Sequence, residues 1–355
     1  MILLPVDPAA PDPAALARAA DTLRRGGLVA FPTETVYGLG AHALDPAAVA
    51  RIYAAKGRPG YNPLIVHVAD AEAARALAST WPAEADALAA EFWPGPLTLV
   101  LPRNDSVPVS VTAGLSSVAL RVPAHPVAHA LLRAAGIPVA APSANRSTEV
   151  SPTTAQHVAR SLGDRVDVIL DGGPCPVGIE STVLSLAGPV PTLLRPGTIS
   201  VDDLRPVIGA VVLPSTAPEA TAARPSPGMM DRHYAPRAEL RLFEGDPRDQ
   251  HDLVVDARQP DGPTAVLLIE AKSFREGSAG GADNPAAHAN ARDADVLPGA
   301  TVVAMPAEPA EYAARLYSLL HELDDRGYRR VWVQQPPDAP AWAGVRDRLR
   351  RAASP

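Results

Sequence analysis

The sequence predicts two α/β domains: a larger N-terminal one built on a twisted mixed sheet, and a smaller C-terminal one. Three observations predict them. Short β-branched and leucine-rich runs alternate with segments of helical apolar spacing along most of the chain. Beyond residue 210 the alternation stops, because "PSTAPEATAARPSPG" is a Pro, Ala and Ser stretch with no apolar period. It then resumes and runs to the C-terminus. The expected division is a domain over 1–209, a linker over 210–236 and a second domain over 237–355.

Residues 13–25 place Leu16, Ala19, Ala20 and Leu23 on one helical face, and "GG" stops that helix. "LVAF" follows as a buried strand. "PAAVARIYAAKG" is a helix with Pro46 in its first turn and Gly57 as its C-terminal cap. "NPLIVHVAD" reads as a strand and "AEAARALAS" as a helix. "PLTLVLP", "VALRVP" and "IPVAAPSAN" are strands entering loops, with the helix "HPVAHALLRAAG" between the last two. "TAQHVARSLG" is a helix, "VDVILDGG" a strand, and "STVLSLAG" with "PTLLRPG" a hairpin. In the second domain the strands are "LRLFEG", "TAVLLIE", "TVVAMP" and "RRVWVQQP". Its helices are "PAEYAARLYSLLHELDDRG" and "AWAGVRDRLRRAA", and residues 276–296 are expected to form a mobile loop.

Composition narrows the function. A net charge of −7 and a pI near 5.7 disfavour bulk electrostatic binding of nucleic acid, while leaving room for a local cationic pocket. The single cysteine, Cys175, excludes an internal disulfide or a Cys-pair zinc site. The start "MILLPVDPAAPDP" has no basic n-region, and no apolar run reaches the ~18 residues of a membrane span, so a soluble cytoplasmic protein is expected.

Gly38, Gly40 and Ala43 spell G-x-G-x-x-A, the dinucleotide fingerprint. Polar "PTET" separates it from the preceding strand, and cations stand ~20 residues on where a ribose-binding acid belongs, so the pattern is a decoy. No Walker phosphate loop occurs. His125 and His129, four residues apart in "HPVAH", lack a third ligand and read as capping or surface residues. "KGRP" differs. Of the 32 Lys and Arg residues only Lys56 and Lys272 are lysines, and Lys56 stands two residues before Arg58 at a helix end. Placed together in a tight, exposed turn, the two cations suit an anion, the ammonium by a point contact and the guanidinium bidentately. Ser143, Asn145, Ser147 and Ser151 in "PSANRSTEVS", Ser181 and Thr182 in "GIESTV", Arg195 in "LLRPG" and Thr112 in "VTAG" add hydroxyls and a cation at strand ends. Each alone reads best as a cap or turn residue, but loops gathered at one edge of an α/β sheet are where ligands bind.

Taken in order, "FPTETVYGLG", "KGRPGYNPLIVHV", "WPGPLTLVL", "VALRVPAHP", "PSANRS..VSPT", "GIESTV" and "LLRPG" resemble the YrdC-like family, and "SPGMMDRHYAP" with the C-terminal unit resembles its long, two-domain form. The resemblance implies a YrdC-like sheet with helices around a cationic concave site, and a Rossmann-like second domain. It implies L-threonylcarbamoyladenylate synthase activity, in which L-threonine, bicarbonate and ATP give threonylcarbamoyl-AMP and pyrophosphate for modification of tRNA beside the anticodon. Carried over, Lys56 and Arg58 hold the phosphates as the catalytic cations. Asn62, Thr112, Ser143, Asn145, Ser151 and Arg195 serve ATP, and His233 and Tyr234 fold back over the nucleotide with the linker as a lid. Thr33, Thr35, His67, Arg121 and Ser181 resemble the threonine pocket. Magnesium is expected to arrive with ATP rather than on protein ligands. The implied partners are the small substrates and the tRNA threonylcarbamoyl-transfer machinery, for a monomer without tight direct nucleic-acid binding. A structured-RNA or tRNA-binding module using the same cationic concavity is the alternative, and a nicotinamide oxidoreductase is a third reading that rests on the glycine pattern alone.

Overall fold

The computed structural model describes residues 1–213, 233–259, 262–270 and 297–354. Most of the expected linker, Lys272 and the loop expected over 276–296 lie outside them. The chain forms two compact units: one of residues 1–147 and 151–230, the other of 148–150 and 231–355.

The first unit is organised by one ten-stranded mixed sheet. Its strands are β1 (Ile2–Pro5), β2 (Val29–Phe31), β3 (Gly38–His42), β4 (Ile65–His67), β5 (Leu97–Pro102), β6 (Ser117–Arg121), β7 (Val139–Ala140), β8 (Val168–Asp171), β9 (Thr182–Ser185) and β10 (Thr192–Arg195). They lie in the order β1-β8-β2-β3-β7-β4-β6-β5-β9-β10. The helices are α1 (Pro13–Arg24), α2 (Pro46–Lys56), α3 (Ala71–Arg75), α4 (Ala83–Phe92), α5 (Pro126–Ala135), α6 (Ala155–Leu162) and α7 (Val201–Ile208). One hydrophobic cluster gathers Leu39, Ile52, Leu88, Leu99, Leu120 and Leu184 among others, and a second joins Leu16, Leu23, Phe31, Leu131 and Leu170. Burial of such leucine and phenylalanine surface drives each layer together, at roughly 25 cal/mol per Å² of apolar area.

Local signals explain most boundaries. Asp12 and Asp45 cap α1 and α2 through their carboxylates, each followed by a helix-starting proline, and Gly57 ends α2 in the left-handed conformation with φ 62°. The hairpin read at 181–197 is the antiparallel pair β9 and β10. The decoy glycines lie inside a central strand. A Cβ on Gly40 would stand 2.8 Å from both Phe31 and Val139, so the residue is a packing requirement of the sheet and not a phosphate turn.

The second unit carries a wholly parallel four-stranded sheet in the order β11-β14-β12-β13, from Glu239–Phe243, Arg330–Gln334, Thr264–Ile269 and Ala300–Met305. Its helices are α8 (His251–Ala257), α9 (Pro309–Asp325) and α10 (Ala343–Ala352). No helix among the described residues is long and apolar enough to cross a membrane.

Candidate active site

Every expected site residue except His233 and Tyr234 lies in the first unit. The loop after β2, "PTETVYG", is held from several directions by backbone bonds. Val177 N–H donates to Glu34 O (2.8 Å), Gly178 N–H to Thr35 O (3.2 Å), Tyr37 N–H to Pro152 O (2.9 Å) and Ala144 N–H to Tyr37 O (2.8 Å). Thr33 Oγ1 donates to Val36 O at 2.7 Å. Its single proton is thereby committed, so in the 2.8 Å contact between Thr33 Oγ1 and Thr35 Oγ1 it is Thr35 that donates. The strand-end loops are thus cross-tied before any ligand arrives.

Strand pairing brings the next pair together. β4 and β6 run parallel with His67 in register with Arg121. His67 is wholly buried, edge-on to Phe31 with ring centroids 6.2 Å apart. Burial, reinforced by the nearby Arg121 charge, lowers its pKa to about 3, so the imidazole is neutral at physiological pH. Its Nδ1 is buried without a hydrogen-bond partner among the described residues. A buried polar atom left unmatched costs free energy, and here it marks a place for a ligand atom. Arg121 Nε donates to Gly95 O at 3.2 Å, and Nη2 donates to Glu34 Oε1 at 2.7 Å. Glu34 Oε2 accepts the Ala124 N–H at 3.1 Å.

The second cluster of cations starts where α2 ends. Lys56 Nζ donates to the carbonyl of Ser143 at 2.7 Å and to that of Asn145, while Ser147 N–H donates to Lys56 O. The ammonium therefore pins the Ser143–Ser147 loop to the helix end. Arg58 Nη2 donates to Asn62 Oδ1 and to Pro63 O at 2.7 Å, and Nε donates to Asn62 O at 3.0 Å. The turn was expected to be exposed, and that expectation is corrected for its cations. Lys56 is 3% and Arg58 8% exposed, although Gly57 and Gly60 face solvent. The backbone carbonyls ranged around the two side chains make this burial tolerable.

Ser181 Oγ lies 2.8 Å from Thr98 Oγ1 and accepts from Arg195 Nη2 at 3.2 Å, while Arg195 Nε donates to Ser181 O at 3.1 Å. A Cβ on Gly197 would stand 2.4 Å from Thr182 N, so only glycine lets the "RPG" loop approach "GIEST" this closely. Ser151 Oγ donates to the buried Glu180 carboxylate. Asn145 Nδ2 donates to Arg146 O at 2.9 Å. Thr112 turns inward on its own loop, donating to Leu115 O at 2.8 Å. Lys56 with Ser143 and Asn145, Arg58 with Asn62, and Ser181 with Arg195 are thus joined directly, while Thr112 bonds to none of the other expected residues.

His233 and Tyr234 belong to the second unit. Tyr234, at φ 60°, is buried and stacks on Tyr317 with centroids 5.9 Å apart, and the Arg348 guanidinium lies over its ring at 5.1 Å. His233 N–H donates to Arg351 O at 3.2 Å. In the same unit Ala235 N–H donates to Thr148 O at 2.9 Å, in a parallel bridge between Glu149 and Ala235.

Glu34, Thr98 and Glu180 escaped the sequence reading. Glu34 and Glu180 each carried a signal, as the one acid between Gly26 and Leu44 and the one acid between Gly172 and Val201. His125 caps α5 through Nδ1, which accepts the Val127 N–H, in keeping with its capping reading, while His129 lies inside α5, partly buried, with Nε2 at 2.8 Å from Ala69 O. Among the described residues no three His, Cys, Asp or Glu side chains gather as a metal-binding group.

A mixed-sheet α/β unit that gathers buried cations, hydroxyls and a neutral histidine at loops tied to one another defines a class of small-molecule-binding enzymes. The chain belongs to the Sua5/YciO/YrdC family: residues 21–197 match the model of that family, described as "Telomere recombination". Residues 199–354 match the "Threonylcarbamoyl-AMP synthase, C-terminal domain". The chain is 42% identical to the threonylcarbamoyl-AMP synthase of Bacillus subtilis, over 95% of this chain and 92% of that one. It is 51% identical to the synthase of Pyrococcus abyssi over 65% of this chain and 68% of the relative. The crystal structure of P. abyssi Sua5 complexed with L-threonine superimposes with a TM-score of 0.85 at 36% identity, covering 99% of this chain and 98% of that one.

Proposed function

We infer that the chain is a threonylcarbamoyl-AMP synthase, an enzyme that condenses L-threonine, bicarbonate and ATP into threonylcarbamoyl-AMP and pyrophosphate for tRNA modification. The observation that carries the reading is a division of labour within one unit, supported by the activity named for a relative that aligns along 95% of this chain. Arg121, Glu34 and His67 suit an amino acid, and Lys56 and Arg58 with Ser143, Asn145 and Ser151 suit a nucleoside triphosphate.

The chemistry requires the threonine amine to take up carbon dioxide as a carbamate. A carbamate oxygen then forms a bond to the α-phosphorus as the bond to the pyrophosphate oxygen breaks. Two anions are brought together, so the enzyme contributes mainly position and positive charge. In this reading Arg121 meets the threonine carboxylate, and the neutral His67 presents Nδ1 to a donor of the amino acid. Ser181, Thr33 and Thr35 border that pocket. Lys56 and Arg58 lie at the phosphates, with Asn62, Ser143, Asn145, Ser151, Thr112 and Arg195 serving the nucleotide. His233 and Tyr234, expected over the nucleotide, are held within the second unit by Arg351 O, Tyr317 and Arg348. Magnesium enters as part of the ATP substrate, since phosphate oxygens and water suit a hard cation.

The RNA-binding alternative is not favoured. Its proposed phosphate contacts, Lys56, Arg58, Arg121 and Arg195, are all under a tenth exposed and bonded to carbonyls or a carboxylate. A counterion-releasing nucleic-acid surface needs cations in solvent. The test is pyrophosphate release from ATP. It is expected to depend on both L-threonine and bicarbonate, and equal turnover in carbonate-depleted buffer without amino acid overturns the assignment.

A further inference from the structure

The guanidinium of Arg121 is gripped along one edge and open along the other. Nε is engaged by Gly95 O and Nη2 by Glu34, while no acceptor among the described residues reaches Nη1, which is not sealed from solvent. Glu34 divides its two oxygens between donors of different elements: Arg121 at the end of β6, and the Ala124 N–H just before α5. Both side chains of the pair are under a tenth exposed. We propose that Glu34 is a positioning residue for the amino-acid substrate: it fixes the plane of Arg121 so that Nη1 presents its protons to the substrate carboxylate. The proposal rests on the synthase reading of the site.

Chemistry singles out a carboxylate at this position. Two N–H donors converge on residue 34, and only a carboxylate offers an acceptor to each. Glutamine has the same shape but one acceptor oxygen, so its amide NH₂ must confront either Arg121 or the Ala124 N–H. Held by two acceptors, the guanidinium keeps the rigid fork that recognises a carboxylate with geometric selectivity. Released from one, it retains its charge but loses its aim. The effect is therefore expected on recognition of the amino acid and not on ATP.

The test uses the full chain. For Glu34→Gln, the KM for L-threonine is expected to rise at least tenfold, while the KM for ATP stays within twofold. Calorimetric titration then compares L-threonine with L-threoninol, which has a CH₂OH in place of the carboxylate. Wild type is expected to prefer threonine strongly and Glu34→Gln to lose most of that preference. Glu34→Asp keeps both acceptors on a shorter arm and should recover part of it. Equal losses for threonine and ATP, or an unchanged preference over threoninol, overturn the proposal. Should Glu34→Gln not fold, Glu34→Asp decides by the same two readouts, an unaltered preference and KM counting against. Wild type that shows no threonine- and bicarbonate-dependent turnover overturns the synthase reading instead, so the two failures are distinguishable.

Discussion

At the scale of the residue, Lys56 shows what rarity in a sequence does and does not reveal. The near-absence of lysine pointed to this position, but its partners are backbone carbonyls 87 and 89 positions away, which no local pattern encodes. Lys56→Ala is expected to lower turnover more than tenfold, because a charge-assisted contact in a partly desolvated site is worth about 1.5–3 kcal/mol. Lys56→Arg should not restore it, since a planar guanidinium does not fit a seat shaped for a compact ammonium between two carbonyls. Lys272→Ala is the matched control, and steady-state pyrophosphate release compares all three. His67 gives a second expectation. Its folded pKa, near 3, lies below the unfolded value, so between the two the unfolded chain binds a proton that the folded one does not. Stability should therefore fall as pH drops below about 6.5, by up to ~1.4 kcal/mol per unit from this group. Urea unfolding at pH 7.5 and pH 5 should show a steeper loss for wild type than for His67→Gln. Glu34 and Glu180 carried a sequence signal left unread, as lone acids in long, otherwise acid-free stretches, whereas Thr98 had none, because its importance comes from Ser181, a neighbour supplied by pairing across the sheet.

At the scale of the element, the strands and helices with clear periodicity and caps were legible, and the exceptions have physical causes. Ile2–Pro5 is a strand only because it pairs in parallel with Val168–Asp171, a partner far along the chain. Helix α4 follows Pro82 with no side-chain cap and so lacks the usual start signal, while α7, whose start carries a Ser200–Asp203 capping box, has Pro206 in its interior and lacks the usual continuity. In β3 the glycines imitate a cofactor motif while serving packing. Gly40→Ala should destabilise the protein by roughly 1–3 kcal/mol, the usual cost of overfilling a packed core, because both apolar neighbours and the Val29 carbonyl at 3.2 Å stand in the way. Chemical denaturation measures it, and a neutral result removes the packing account of the motif. Phe31, which would be displaced, also backs His67, so a weakened affinity for L-threonine should accompany the loss.

At the scale of the whole molecule, the interruption of the first unit at residues 148–150 was not legible. A Ser/Thr-rich loop carries no sign that its middle belongs to another body. The fragment 1–213 retains both hydrophobic clusters of the first unit, including α7, which a cut at Pro206 would sever. It is expected to unfold cooperatively on its own, yet to lose at least nine-tenths of its turnover, because Thr148 O and Glu149 lose their partner at Ala235. Circular dichroism with a pyrophosphate assay checks both halves of that expectation, and a fully active fragment contradicts it.

The same interruption sets an order of events at the ribosome. Thr148 emerges long before Ala235, the residue whose amide it receives. At roughly 5–20 residues per second the delay lasts several seconds. Until it ends, a nascent chain holds its first core with the segment between Asn145 and Ser151 unfinished. Catalytic competence is then expected to wait on residue 235, and a message truncated before that codon to yield a folded first unit with little turnover.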